Sequence, residues 1–243
     1  MSFKYQFVHS FDGYDSNLLL LLHGLGDDYR NFLNFGKKLK LPQTALASLS
    51  APLQVPFFEG YAWYDSFDLN TGEMKIPSEN EVTTLRKKLL SFIEKEFLNN
   101  PTKTKNFKPE MIFLLGFGQG GQVLLDFGLA ITKELKLGGI INIGGFRCNI
   151  PSFNSSNSIS TPILTTLGLL DQEMLNEKEK TVNNFKNVQA FNKENFLFSL
   201  ISDKGLEMPK SEQEMRIIME FLGKHLFIRN LKLESMADLI EIK

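Results

Sequence analysis

The chain has 243 residues, 42% of them hydrophobic and 12% aromatic, enough apolar material for one sizeable core without a second domain. Its 27 lysines and arginines stand against 28 acids, which excludes a net field that would draw it to nucleic acid or to an anionic membrane. The single cysteine, Cys148, excludes an intrachain disulfide framework and fits a reducing compartment.

In chain order, Met1 to Ser16 mixes Lys4, Asp12 and Asp15 among its apolar residues and has no signal-peptide core. Apolar runs such as Leu18–Leu22 are too short to span a bilayer. The expectation is a soluble cytoplasmic protein, with the nucleus as the alternative. Short β-like segments follow at Tyr5–His9, Leu18–Leu22, Thr44–Ser48, Met111–Leu115, Gly139–Ile143, Ile163–Leu167 and Phe196–Ile201. Between them lie helix-period stretches at Tyr29–Leu39, Glu79–Leu98, Gln119–Leu135, Glu173–Phe185 and Ser211–Leu222. This alternation predicts an α/β fold with a mainly parallel central sheet and helices on both faces. The breakers Pro52, Pro56, Gly60, Gly72 and Pro77 make Ala51–Ser78 a long loop, Asn99–Lys108 reads as a polar connector, and the Ser- and Asn-rich Pro151–Thr161 as another loop. No repeat and no interdomain linker is evident. Residues 1–226 are expected to form one domain, with Phe227–Lys243 as a C-terminal extension.

Met111–Leu115, then Gly116-Phe117-Gly118-Gln119-Gly120-Gly121, then a helical run, describe a strand, a tight turn and a helix start. In hydrolases that geometry lifts the turn residue above the sheet and aims the next backbone N–H at a developing oxyanion. Alone, the glycine pattern fits a phosphate-binding loop equally well. Its companions are His23-Gly24-Leu25-Gly26-Asp27 after the second apolar strand, and Ala51-Pro52 followed by Trp63-Tyr64-Asp65. Together these resemble the acyl-protein thioesterase and carboxylesterase family of α/β-hydrolases, over about Leu18 to Leu222.

The resemblance implies an α/β-hydrolase fold, and it implies a catalytic triad that this chain matches at one position of three. The nucleophile position of the family's Gly-Phe-Ser-Gln-Gly-Gly elbow falls on Gly118. The acid falls on Asp171 in Gly168-Leu169-Leu170-Asp171-Gln172, a degraded form of the family's motif. The histidine falls on Met208 in Gly205-Leu206-Glu207-Met208. Glycine cannot attack a carbonyl and methionine cannot act as a general base. The other histidines, His9, His23 and His225, are poorly placed to replace the base, and Cys148 has no histidine beside it. Asp171 has a plain alternative as a helix cap, and His23 and Asp27 as braces of their own loop.

The backbone N–H groups of Leu25 and Gln119 are expected to line the old pocket as oxyanion donors, and Trp63 and Tyr64 either to hold a ligand or to pack the long loop. No cofactor and no metal are expected. Within Phe227–Lys243, Ser235 and Asp238 resemble a capping box ahead of a short helix from Met236. That apolar tail either packs back on its domain or docks on a partner. The leading expectation is a non-catalytic hydrolase fold acting as a protein-binding subunit through the tail or the pocket face. The alternatives are a weak or atypical ester or thioester hydrolase and an acyl-ligand sensor.

Overall fold

The computed structural model describes residues 3–56, 59–100, 106–131, 135–146, 159–170, 182–190 and 192–230. Within them, seven strands form one sheet: β1 (Tyr5–Val8), β2 (Asn17–Leu22), β3 (Thr44–Leu49), β6 (Ile112–Phe117), β7 (Gly139–Ile143), β8 (Ile163–Gly168) and β9 (Phe196–Ile201). Their spatial order is β1-β3-β2-β6-β7-β8-β9. Only β1 is antiparallel, pairing Tyr5 with Leu49 and Val8 with Leu46. The other pairings are parallel, with Leu18 beside both Ala45 and Ile112 in the centre. All seven expected strands are present, within a residue or two at their ends.

The strand β2 shows why. Its five consecutive leucines lack an alternating pattern because both faces are covered. Leu18, Leu20 and Leu22 enter one core and Leu19 and Leu21 the other. Helices α2 (Glu79–Ile93), α3 (Gln119–Ala130) and α4 (182–190) cover the first face, burying Leu89, Leu124 and Phe185 among others. Helices α1 (Tyr29–Lys38) and α5 (Glu212–His225) cover the second, through Phe32, Leu33, Ile218 and Leu222. Side-chain caps set the starts of α1, α2 and α5. Asp28 accepts from the Arg30 N–H, Ser78 and Glu81 form a reciprocal capping box, and Ser211 accepts from the Glu214 N–H.

Three expectations are corrected in detail. The periodic run Glu79–Leu98 leaves the α form at Glu94 and finishes as a π turn, Glu94–Leu98. Helix α3 ends at Ala130, and Ile131 has already left helical geometry with ψ 3°. The long loop carries a small antiparallel pair, β4 (Leu53–Gln54) and β5 (Tyr61–Ala62), turned by Gly60 at φ +123°. A Cβ at Gly60 would lie 2.2 Å from the Gly26 carbonyl oxygen, so that close approach requires glycine. Of the expected helix Glu173–Phe185 only 182 onward lies within the described residues, and of the loop Pro151–Thr161 only 159 onward.

Two buried carboxamides hold the chain beyond α5. Asn17 exchanges a pair of hydrogen bonds with the backbone of Phe227, at 2.8 and 3.1 Å, and Gln43 does the same with Arg229, at 3.0 and 2.9 Å. Each side-chain amide therefore stands in for a peptide group of a neighbouring strand. Asn17 begins β2 and Gln43 precedes β3, so 227–229 lies against the N-terminal end of the sheet. The expected helix from Met236 lies outside the described residues. Among those residues no helix is long and apolar enough to cross a membrane.

Candidate active site

In an open parallel sheet, ligands bind beyond the carboxyl ends of the strands. Here those ends carry the glycine-rich turns of the sequence. The turn after β6 places Gly118 at φ +52°, ψ −117°, between the strand and the first residue of α3. Its N–H donates to the Ile143 carbonyl at 2.8 Å, and its carbonyl accepts from the Gln122 N–H at 2.9 Å. The flanking glycines are there for space. A Cβ at Gly116 would lie 2.5 Å from the Gly120 carbonyl oxygen, one at Gly120 2.3 Å from that of Leu22, and one at Gly121 2.3 Å from Asn142 Oδ1.

Gly118 is different. A Cβ there would meet nothing closer than the Gly24 Cα at 3.9 Å and Leu206 Cδ1 at 4.0 Å. The strand-to-helix turn thus keeps room for a side chain at its apex and carries none.

The loop after β2 faces this apex. His23 is fully buried, with Nδ1–H donating to the Gly24 carbonyl at 2.7 Å and Nε2 accepting from the Ala51 N–H at 3.1 Å. These partners fix the neutral tautomer, and burial holds its pKa below the ordinary 6.5. Asp27 accepts from Asn31 Nδ2 and bridges to Tyr61. Both residues brace the loop. The N–H groups of Leu25 and Gln119 have no hydrogen-bond partner among the described residues.

Gln119 and Trp63 tie the long loop to the turn. Gln119 Oε1 accepts from the Trp63 N–H at 2.7 Å, and its Nε2 donates to Ser66 Oγ at 2.7 Å. The Trp63 indole N–H donates to the His23 carbonyl at 2.8 Å. Its ring is buried, against His23 and Phe3. Of the two roles expected for Trp63, these contacts are those of packing the long loop: its indole has an apolar body to bury and one donor to satisfy, and the framework uses both.

A cavity of about 340 Å³ opens above the turn. Gly118, Gln119, Leu25 and Tyr64 are among the residues that line it. Its other walls were not assigned a ligand-binding role from the sequence. They include Met74, Lys75 and Pro77 from the long loop, Phe146 after β7, and Leu206 from the connection between β9 and α5. Lys75 is ion-paired with Asp65.

Met208 is half-buried and packs on the α1/α5 side of the sheet. Leu206, two residues earlier, is the side chain that reaches toward Gly118. Hydrophobicity marked both, and only the course of an irregular loop decides between them. Among the described residues lining the cavity there is no histidine, cysteine or carboxylate. His9 is exposed beside Asp15, and His225 packs on Phe221 at the end of α5. Asp171 and Cys148 lie outside the described residues. No group of His, Cys, Asp and Glu that could hold a metal occurs among the described residues.

Beneath the Leu206 loop lies a buried ion pair. Lys204 Nζ meets Glu214 Oε1, which also accepts from Thr166 Oγ1 at 2.8 Å, while Oε2 has no partner. Burial lowers the Lys204 pKa against the pull of Glu214. The Leu170 N–H donates to the Lys204 carbonyl at 2.8 Å, joining this loop to the one after β8.

The sheet order, the sharp glycine turn at the end of a central parallel strand and the facing donor loop define the chain as an α/β-hydrolase in fold. It belongs to the phospholipase/carboxylesterase family, which it matches over residues 3–226. An uncharacterised hydrolase of Mycosarcoma maydis is 38% identical over 166 residues, 66% of this chain. The match spans 59% of that relative's length. Acyl-protein thioesterase 1 of Saccharomyces cerevisiae is 27% identical over 63% of this chain and 69% of its own. The crystal structure of esterase PE8 superposes with a TM-score of 0.72 at 20% identity, covering 93% of this chain and all of that one. Its likeness bears on the fold.

Proposed function

We propose that this chain is a non-hydrolytic member of its family that works by binding, and that what it binds is an acyl ligand in the retained cavity. One observation carries the reading: Gly118 keeps the strained turn and the space of a nucleophile and has no atom with which to attack. In a working serine hydrolase, loss of the nucleophile alone costs on the order of a millionfold in turnover. His23, the histidine nearest the turn in sequence, has both ring nitrogens engaged in bracing its loop.

The open cavity favours a ligand over the purely protein-binding role expected from the sequence. Its walls offer Leu25, Tyr64, Met74, Phe146 and Leu206 to a chain, and two backbone donors to an oxygen. A filled pocket would have left only the surface.

The test has two arms. The purified chain is expected to show no labelling by a fluorophosphonate and thioester hydrolysis no faster than a denatured control. A panel of medium-chain acyl compounds is expected to raise its melting midpoint, since a ligand that binds only the native state must do so. Stoichiometric labelling refutes the non-hydrolytic reading, and a panel without effect refutes the ligand.

A second reading, slow hydrolysis by water, draws on the room above Gly118 beside donors suited to a carbonyl oxygen. It requires that Asp171→Ala or Cys148→Ala lower a measurable thioester rate, and is refuted if neither does.

A further inference from the structure

We infer that the cavity selects the free carboxylate of an acyl chain over its ester or thioester. The inference rests on the acyl-ligand reading above and adds the chemical class of the group at the turn.

The geometry at Gly118 supplies the first reason. A side chain there would occupy space that is bounded only at 3.9 and 4.0 Å, so with glycine one heavy atom more is accommodated beside the turn. A carboxylate has two equivalent oxygens to place. One takes the unpaired N–H groups of Leu25 and Gln119, and the other takes the space over Gly118. An ester fills the same space with an alkoxy oxygen that must carry a further substituent outward, past Leu206.

Charge supplies the second reason. Unpaired backbone donors lining a cavity favour a full negative charge over a neutral carbonyl, and hydrogen bonds to an ionised acceptor are roughly twice as strong as neutral ones. No carboxylate lines the cavity among the described residues, and Lys75 is the one charged side chain that does. Lys75 is ion-paired with Asp65, so its charge is already balanced and the preference for an anion rests on the backbone donors. An apolar wall beside unpaired backbone donors describes a site for a medium-chain carboxylic acid. The cavity, at about 340 Å³, is at the small end of ligand pockets, which run roughly 300–1,000 Å³.

Isothermal titration of the full chain with decanoate, methyl decanoate and decanol tests this. Decanoate is expected to bind at least tenfold more tightly than either neutral compound. Gly118→Ala places a methyl group in the second oxygen's space, and is expected to weaken decanoate tenfold or more. Equal binding of acid and ester overturns the carboxylate preference and leaves the acyl-ligand reading standing. Binding of none of the three overturns both. The comparison of ligands on the unsubstituted chain decides the matter even if the variant fails to fold.

Discussion

The glycines of the β6–α3 turn separate two reasons for having no side chain, and two substitutions tell them apart. Gly118→Ala adds a methyl that touches nothing within 3.9 Å, so its cost is the backbone conformation alone. A non-glycine residue in so sparsely populated a region costs about 1–3 kcal/mol, partly offset by about 0.4–1 kcal/mol from a stiffer unfolded chain. A net loss of about 1–2 kcal/mol moves the midpoint of a chain this size by roughly 2–8 °C. Gly120→Ala has ordinary helical backbone, where alanine is intrinsically better by about 0.8–1.0 kcal/mol. Its methyl, however, would lie 2.3 and 2.5 Å from the Leu22 and His23 carbonyl oxygens. Backbone atoms of the central strand cannot swing aside, so α3 must retreat from the sheet, and overpacking of this kind costs about 3 kcal/mol or more. Urea unfolding followed by fluorescence of Trp63, the only tryptophan and one held against the turn, measures both. Equal losses, or a neutral Gly120→Ala, would refute the assignment of space at Gly118 and necessity at Gly120.

Three further outcomes are expected. Glu214→Gln leaves Lys204 buried without its counter-charge and should cost about 3–5 kcal/mol, while Lys204→Met with Glu214→Leu should recover most of that loss; chemical denaturation measures both, and additive costs count against a coupled pair. His23 has its pKa lowered by burial, so between that value and about 6.5 the unfolded chain binds the extra proton, and stability falls as pH drops below about 6.5. His225 is shifted the same way, so the midpoint between pH 5 and 7 should flatten in His23→Gln and flatten further with His225→Gln added; unchanged slopes would dismiss both histidines. Asn17→Ala removes two hydrogen bonds to Phe227, each worth about 0.5–1.5 kcal/mol, and should speed tryptic cleavage after Arg229 several-fold, an effect absent if 227–229 is not held by its carboxamides.

The sheet was legible because burial on both faces leaves its mark within each strand. Five leucines in a row at 18–22 need no partner to be read as a covered parallel strand. The glycine turn was legible as a pattern, since close approach of helix and strand demands glycines at fixed spacing. What could not be read is set by atoms far apart in sequence. Asn17 and Phe227 are 210 residues apart, and nothing local marks an asparagine as a surrogate peptide group. Trp63 carries the same composition whether it lines a pocket or closes a core. Leu206 and Met208 are both apolar and two residues apart, and only the course of the loop that carries them decides which one turns toward the cavity.

The spacing pattern Gly-x-Gly-x-Gly-Gly gives each glycine the same appearance, yet the distances divide them. Gly116, Gly120 and Gly121 are held to glycine by backbone or side-chain atoms within 2.5 Å of any added carbon, and Gly118 by nothing within 3.9 Å. If glycine at 118 served packing, the space above it would be filled as it is at the other three. Steric need therefore does not account for it. The turn's backbone conformation suits glycine, but backbone ease alone would have had no consequence for the loops that face it. The facing loop and the helix start keep one unpaired donor each, the Leu25 and Gln119 N–H groups, beside an apolar wall. On the acyl-ligand proposal a ligand fills that space, and on the hydrolytic reading an ester does, so the ligand titrations and the thioester assay together separate the two.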